Sequence, residues 1–214
     1  RVSYAKALMA AVDQGEVKAN ELPEDIVRQL RAHGQKDINA KLDKVWGVSR
    51  TTPEAKLKEI AKYKKLLQAK PAKPVNLSRG RALYQRTCAQ CHKLYGEGGE
   101  IGPDITGSNR ANLDYILENI LNPSGEIPEG YQLLLVTTRG GQTLAGTLAS
   151  ENDQQLVLRV VGLPPVTVAK SEIQSRESIP TSMMPEGLLA SLPDRDVIDL
   201  IRYLRTTKQV AKPE

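Results

Sequence analysis

The chain has 214 residues, of which 40% are hydrophobic and 26% charged, enough to bury one or two cores and too evenly mixed for a membrane span or wholesale disorder. Its net charge of +5 is uneven, because residues 1–75 carry +7 and the remainder −2. No aromatic-interleaved basic motif accompanies that excess, so it reads as a solvated helical face, and nucleic-acid binding is not expected.

Phe is absent and aromatics make up only 4% of the chain, so the core must be largely aliphatic unless a flat apolar body other than a side chain completes it. The chain opens at Arg1 without a Met or a signal-like leader. Any signal peptide is therefore expected to have been removed or never to have been part of this stretch, and the compartment must be read from chemistry.

A first helix is expected over residues 4–12. A second follows Leu22-Pro23-Glu24-Asp25, with Pro at an early helical position, acids in the first turn, and Ile26, Val27 and Leu30 on one face. His33 falls in its last turn ahead of Gly34, the usual place for a dipole-complementing side chain before a glycine cap. Ile38, Leu42, Val45 and Trp46 repeat at helical spacing, and Thr52-Pro53-Glu54 opens a helix with the stripe Leu57, Ile60, Tyr63 and Leu67. Each helix is too short to stand alone, so the set is expected to stack together or on a neighbour. Residues 68–76, QAKPAKPVN, favour an extended, stiff connector. The expected division is a helical segment over 1–75 and a second domain over 76–214.

Within that domain residues 77–87 look helical, with Ser78 as a cap and Gly80 costly unless another backbone approaches closely. Leu113, Ile116, Leu117, Ile120 and Leu121 form the face of a helix that stops before Pro123, and Val197, Ile198, Leu200, Ile201, Tyr203 and Leu204 form that of a last helix after Pro193. Between them the character changes. Strands are expected over 131–138, 143–150, 155–161 and 166–169, separated by turn signals at Arg139-Gly140-Gly141, Asn152-Asp153 and Pro164-Pro165. The overall class is mainly α, with a small antiparallel meander or SH3-like barrel inserted at about 126–180.

Cys88-Ala89-Gln90-Cys91-His92 carries the chemistry, because both cysteines of the chain and one of its two histidines fall within it. In a C-x-x-C-H run the two sulfurs can form thioethers to the vinyl groups of one haem, and the adjacent imidazole becomes its proximal ligand. One covalent haem c is the direct reading. A structural zinc site would need a fourth N or S donor, and only His33, beyond the connector, remains. A thioredoxin-like dithiol would need a strand before the motif and a helix after it, whereas a helix precedes it and Gly96, Gly98 and Gly99 follow. A simple disulfide leaves His92 unexplained.

A second axial ligand must come from Met9, Met183, Met184 or His33, barring a lysine. Met9 and His33 lie in the first segment, and Met184 precedes Pro185, which biases it into an extended loop able to present a thioether. Met183 fits better as apolar filling. Removing residues 126–180 shortens the 92-residue separation of His92 from Met184 to 37. The ring of His92 also needs its other nitrogen bonded, and the Pro103 carbonyl in Gly102-Pro103 is the candidate, although the dipeptide also reads as an ordinary turn.

The run Gly80-Arg81-Ala82-Leu83-Tyr84, the CAQCH motif, Gly102-Pro103-Asp104-Ile105-Thr106-Gly107, Leu121-Asn122-Pro123-Ser124, Ser182-Met183-Met184-Pro185-Glu186-Gly187-Leu188 and Asp199-Leu200-Ile201-Arg202-Tyr203-Leu204 together resemble the C-terminal haem-binding domain of planctomycete and verrucomicrobial secreted, membrane-bound dehydrogenase-like proteins. The resemblance covers residues 77–207. It implies a class I cytochrome c fold with an inserted β module, preceded by HEAT-like helices that often follow a β-propeller, so the chain is expected to be a piece of a longer protein. It implies a helix crossing at Gly80, Tyr84, Leu200 and Tyr203, Met184 as distal ligand, the Pro103 carbonyl as partner of His92, and Ile105 among the haem-binding residues. Asn122 departs from the family, which usually has Asp there.

The expected function is one-electron transfer from a dehydrogenase domain or partner to another redox protein. No side chain is assigned a catalytic role, the chain itself carries no membrane span, and the location is periplasmic or otherwise outside the cytoplasmic membrane. Two other readings stand beside it. The haem could serve as a ligand sensor or peroxidase with a displaceable methionine and the β insertion as its lid, or the β insertion could bind a partner or polysaccharide.

Overall fold

A computed structural model describes residues 2–22, 24–50, 52–128 and 130–212. Pro23, invoked above as an early helical residue, lies outside them.

The first segment contains α1 (Val2–Asp13), a 3-10 turn (Ala19–Glu21), α2 (Glu24–Ala32), α3 (Lys36–Val45) and a short strand β1 (Gly47–Ser49). Their apolar stripes close on one small core of Ala5, Met9, Leu22, Val27, Leu30, Ile38, Leu42 and Trp46. The Trp46 indole donates to the Leu22 carbonyl at 3.2 Å, so its one polar atom is satisfied inside that core. Gly34 sits at φ +64 and its N–H donates to the Arg31 carbonyl at 2.9 Å, a left-handed cap that glycine adopts without a Cβ penalty.

The next helix, α4 (Glu54–Gln68), packs elsewhere. Its Tyr63 and Leu67 share a core with Leu83, Tyr84, Leu117, Leu121, Leu200 and Tyr203, which come from α5 (Leu77–Thr87), α6 (Leu113–Leu121) and α7 (Asp194–Leu204). Packing thus groups α4 with the helices beyond the connector, although the connector was the expected division. The connector itself is fastened to α7, with the Asn76 N–H donating to Asp199 Oδ1 at 2.9 Å and the Arg195 guanidinium donating to the carbonyls of Lys73 (2.8 Å) and Pro74.

Helices α5 and α7 cross at Gly80. A Cβ there would lie 2.6 Å from Tyr203 Cβ and closer still to the Asp199 carbonyl oxygen, so only glycine permits the approach. The Tyr84 and Tyr203 rings meet at 5.7 Å between centroids. The cap of α5 is Asn76, whose side chain accepts from the Arg79 N–H at 2.9 Å, and Ser78 lies inside the first turn instead.

After a two-residue hairpin of β2 (Lys93–Leu94) and β3 (Glu97–Gly98), the chain runs through α6 into β4 (Glu126–Pro128), which pairs antiparallel with β1. Then come β5 (Gln132–Thr138), β6 (Thr143–Glu151), β7 (Gln155–Arg159), β8 (Val166–Ala169) and β9 (Ile173–Ser182), forming one antiparallel sheet in the order β8-β7-β6-β5-β9. Leu134, Val136, Leu144, Leu156, Leu158 and Val168 form its core. The fifth strand, β9, is absent from the sequence reading for a physical reason. It is an edge strand with mostly exposed polar residues, so it lacks the apolar alternation that marks a strand with one buried face. Among the described residues no helix is long and apolar enough to cross a membrane.

Candidate functional site

Cys88 caps the C-terminus of α5, its N–H donating to the Tyr84 carbonyl at 2.8 Å. The N–H groups of Cys91 and His92 then both donate to the Cys88 carbonyl, at 3.0 and 2.9 Å, winding the motif into a tight turn. The β2–β3 hairpin closes over that turn. At Gly98, with φ +124, a side chain would collide with the His92 carbonyl oxygen. That same carbonyl accepts from the Tyr84 hydroxyl at 2.6 Å, and burial raises the pKa of this hydroxyl, keeping it a donor.

The His92 ring is held from two sides. Nδ1–H donates to the Pro103 carbonyl at 2.9 Å, which leaves Nε2 as the nitrogen able to ligate. Gly102 lies flat against the imidazole, since a Cβ there would stand 2.6 Å from Cε1. Burial lowers the His92 pKa, opposed by the Pro103 hydrogen bond, so the neutral, ligating form is favoured. The loop that carries Pro103 is in turn held by Arg110, a buried residue that nothing in the sequence pattern singled out. Its guanidinium donates to the carbonyls of Ile105 (2.7 Å), Thr106 (2.8 Å), Thr206 (2.8 Å) and Leu204, and stacks over the Tyr95 ring.

Cys88, Cys91 and His92 open into a largely apolar cleft together with Pro103, Ile105, Tyr115, Ile116 and Ile120. Met183 and Met184 both reach the same cleft. Met184 also packs on the helical core, and its N–H donates to Ser182 Oγ at 3.1 Å. Met9 is buried in the first core and His33 is exposed, so neither other candidate comes near. Ile127, Pro128, Tyr131 and Thr147, from β4, β6 and the turn between β4 and β5, supply one side of the cleft.

The donor set discriminates among chemistries. Burial pushes the Cys88 thiol up to about 11, and burial also raises that of Cys91. Both cysteines are free. Neither is activated as a thiolate for dithiol exchange, and among the described residues no group of three or more His, Cys, Asp or Glu side chains is arranged to hold a metal ion. Two thiols and a neutral imidazole on one turn, facing a largely apolar cleft, fit a flat ligand bonded through sulfur and ligated through Nε2.

Residues 75–133 match the family model described as "Cytochrome C oxidase, cbb3-type, subunit III". That stretch of the chain is similar to a cytochrome c domain. Such a domain binds haem c and serves electron transfer. The matched span holds α5, the Cys88–His92 motif, Pro103 and α6, and ends inside β5. The rest of the sheet, both methionines of the cleft and α7 lie beyond it. No curated protein matches the chain.

Asn122, the departure noted in the sequence, is held by two neighbouring side chains. Its amide donates to Glu118 Oε1 at 3.0 Å and to Thr52 Oγ1 at 3.3 Å, and Thr52 donates to the same Glu118 oxygen at 2.6 Å. An Asp would place a second carboxylate against Glu118.

Proposed function

We propose that the chain is a c-type cytochrome that passes single electrons through one haem held covalently by Cys88 and Cys91, with His92 and Met184 as axial ligands. The observation that carries the reading is one apolar cleft gathering both thiols of the chain, an imidazole tied through Nδ1 to Pro103, and a methionine pair. A haem in that cleft supplies an iron that alternates between ferrous and ferric. The chain's own groups do the remainder. The Pro103 carbonyl keeps the proton on Nδ1 and so keeps the Nε2 lone pair available. Pro185 and the Ser182 hydroxyl hold Met184 in an extended loop, and a thioether ligand favours the reduced state. Ile105, Ile116 and Ile127 exclude water, and no side-chain acid or base takes part.

The wider reading is that residues 76–214 form the cytochrome c domain and about 126–180 an SH3-like insertion. The strand order β8-β7-β6-β5-β9, with a 3-10 turn (Lys170–Glu172) before the last strand, supports that description. We read the preceding helices as the end of a HEAT-like region, the electron donor as a dehydrogenase domain or partner, and the acceptor as another redox protein. Attachment of haem to a C-x-x-C-H motif takes place outside the cytoplasmic membrane, which supports a periplasmic location.

The axial assignment is tested by comparing Met184→Ala with Met183→Ala in haem-loaded protein. Met184→Ala is expected to abolish the weak long-wavelength band of methionine-ligated ferric haem, and Met183→Ala to keep it. The opposite pattern moves the ligand to Met183, and a band absent from the unmutated protein contradicts methionine ligation. Loss of that band on adding peroxide would favour a sensor or peroxidase instead.

A further inference from the structure

Successive residues of β6 face opposite sides of the sheet up to a bulge after Leu148. Leu144 turns into the core of the insertion, and Ala145 on the other face is exposed. Thr147 belongs to that outer face yet is only 1% exposed, because there the sheet covers the cleft. Its hydroxyl donates to the Ile101 carbonyl at 3.0 Å, across 46 residues of sequence. Strand formation alone would be served as well by valine, so the hydroxyl answers to the carbonyl. Ile101 immediately precedes Gly102 and Pro103, the residues that pack against His92 and accept its Nδ1–H. The loop is also attached by the Gly102 N–H to the Cys91 carbonyl (2.8 Å) and the Ile105 N–H to the Lys93 carbonyl (2.9 Å), and further along by Arg110 to the carbonyls of Ile105 and Thr106. Thr147 ties the loop to the inserted sheet.

We propose that Thr147 is a positioning residue for the axial imidazole, its hydroxyl fixing the Ile101–Pro103 segment so that the insertion sets how strongly Pro103 accepts from His92. This rests on the haem reading above. A firm Nδ1–H bond makes the imidazole a stronger electron donor and favours the oxidised state. Loosening it therefore raises the reduction potential.

The test uses holoprotein with haem attached, comparing Thr147→Val and Thr147→Ala with Thr147→Ser. At a fixed ambient potential the two variants lacking the hydroxyl are expected to raise the ratio of reduced to oxidised protein about threefold, or about 28 mV at 59 mV per tenfold. Exchange of the His92 Nδ1–H with solvent should accelerate in both, because the carbonyl that protects it is held less firmly. Thr147→Ser should keep unmutated values in both measurements. If the valine variant fails to fold, alanine, which demands no added space, decides the matter. Unchanged potential and exchange in a folded variant lacking the hydroxyl overturn the proposal, as does a serine variant shifted as far as alanine. An unmutated protein that takes up no haem overturns the haem reading instead, so the two failures are distinct.

Discussion

Asn122, Glu118 and Thr52 form a closed set in which the amide and the hydroxyl both donate to one carboxylate oxygen. Asn122→Asp removes a donor and sets two carboxylates side by side, so unfolding in urea at pH 7 should show a loss of about 1–3 kcal/mol. The like charges repel only while both are ionised, so the penalty holds above the ordinary carboxylate range and fades as pH falls through it. An equal loss at pH 7 and at pH 4 would contradict this account. The sequence reading marked the departure at Asn122 but not its cause, because Thr52 lies 70 residues away. Cys88, Cys91 and His92 were legible because their chemistry is contained in five consecutive positions. Pro103 was legible as a candidate acceptor, and the carbonyl does stand 2.9 Å from His92 Nδ1. Thr147 was not legible, since an isolated threonine in a strand carries no pattern until the loop it meets is known.

The apolar stripe of α4 disclosed a helix and a buried face, but periodicity cannot say what a face is buried against. Tyr63 and Leu67, 3% and 4% exposed, lie in the core shared with α5, α6 and α7, and Ile60 and Leu66 pack at its margin. Two large buried side chains contribute about 1.5–3 kcal/mol each. A chain beginning at residue 70 should therefore be less stable than one beginning at residue 52 by at least about 3 kcal/mol, measured by urea denaturation. Equal stabilities would show that α4 is dispensable to that core. The opposite limit applied to β9, where exposure on both faces removed the pattern that revealed its four neighbours.

At the scale of the whole molecule the β insertion is a wall of the cleft, joined to the first segment through the β1–β4 ladder and an Arg28–Glu126 ion pair at 2.7 Å. Removing residues 126–180 would open the cleft as well as delete any docking surface. The core of the sheet holds no aromatic side chain and the first core holds Trp46, whereas the helical core beside the apolar cleft gathers Tyr63, Tyr84 and Tyr203. The most direct test is the intact mass and absorption spectrum of the full chain purified from a host competent in haem maturation. The account predicts the mass of the polypeptide plus one haem, stable to denaturation, with a haem c spectrum in pyridine. A colourless protein at the mass of the bare polypeptide would contradict it.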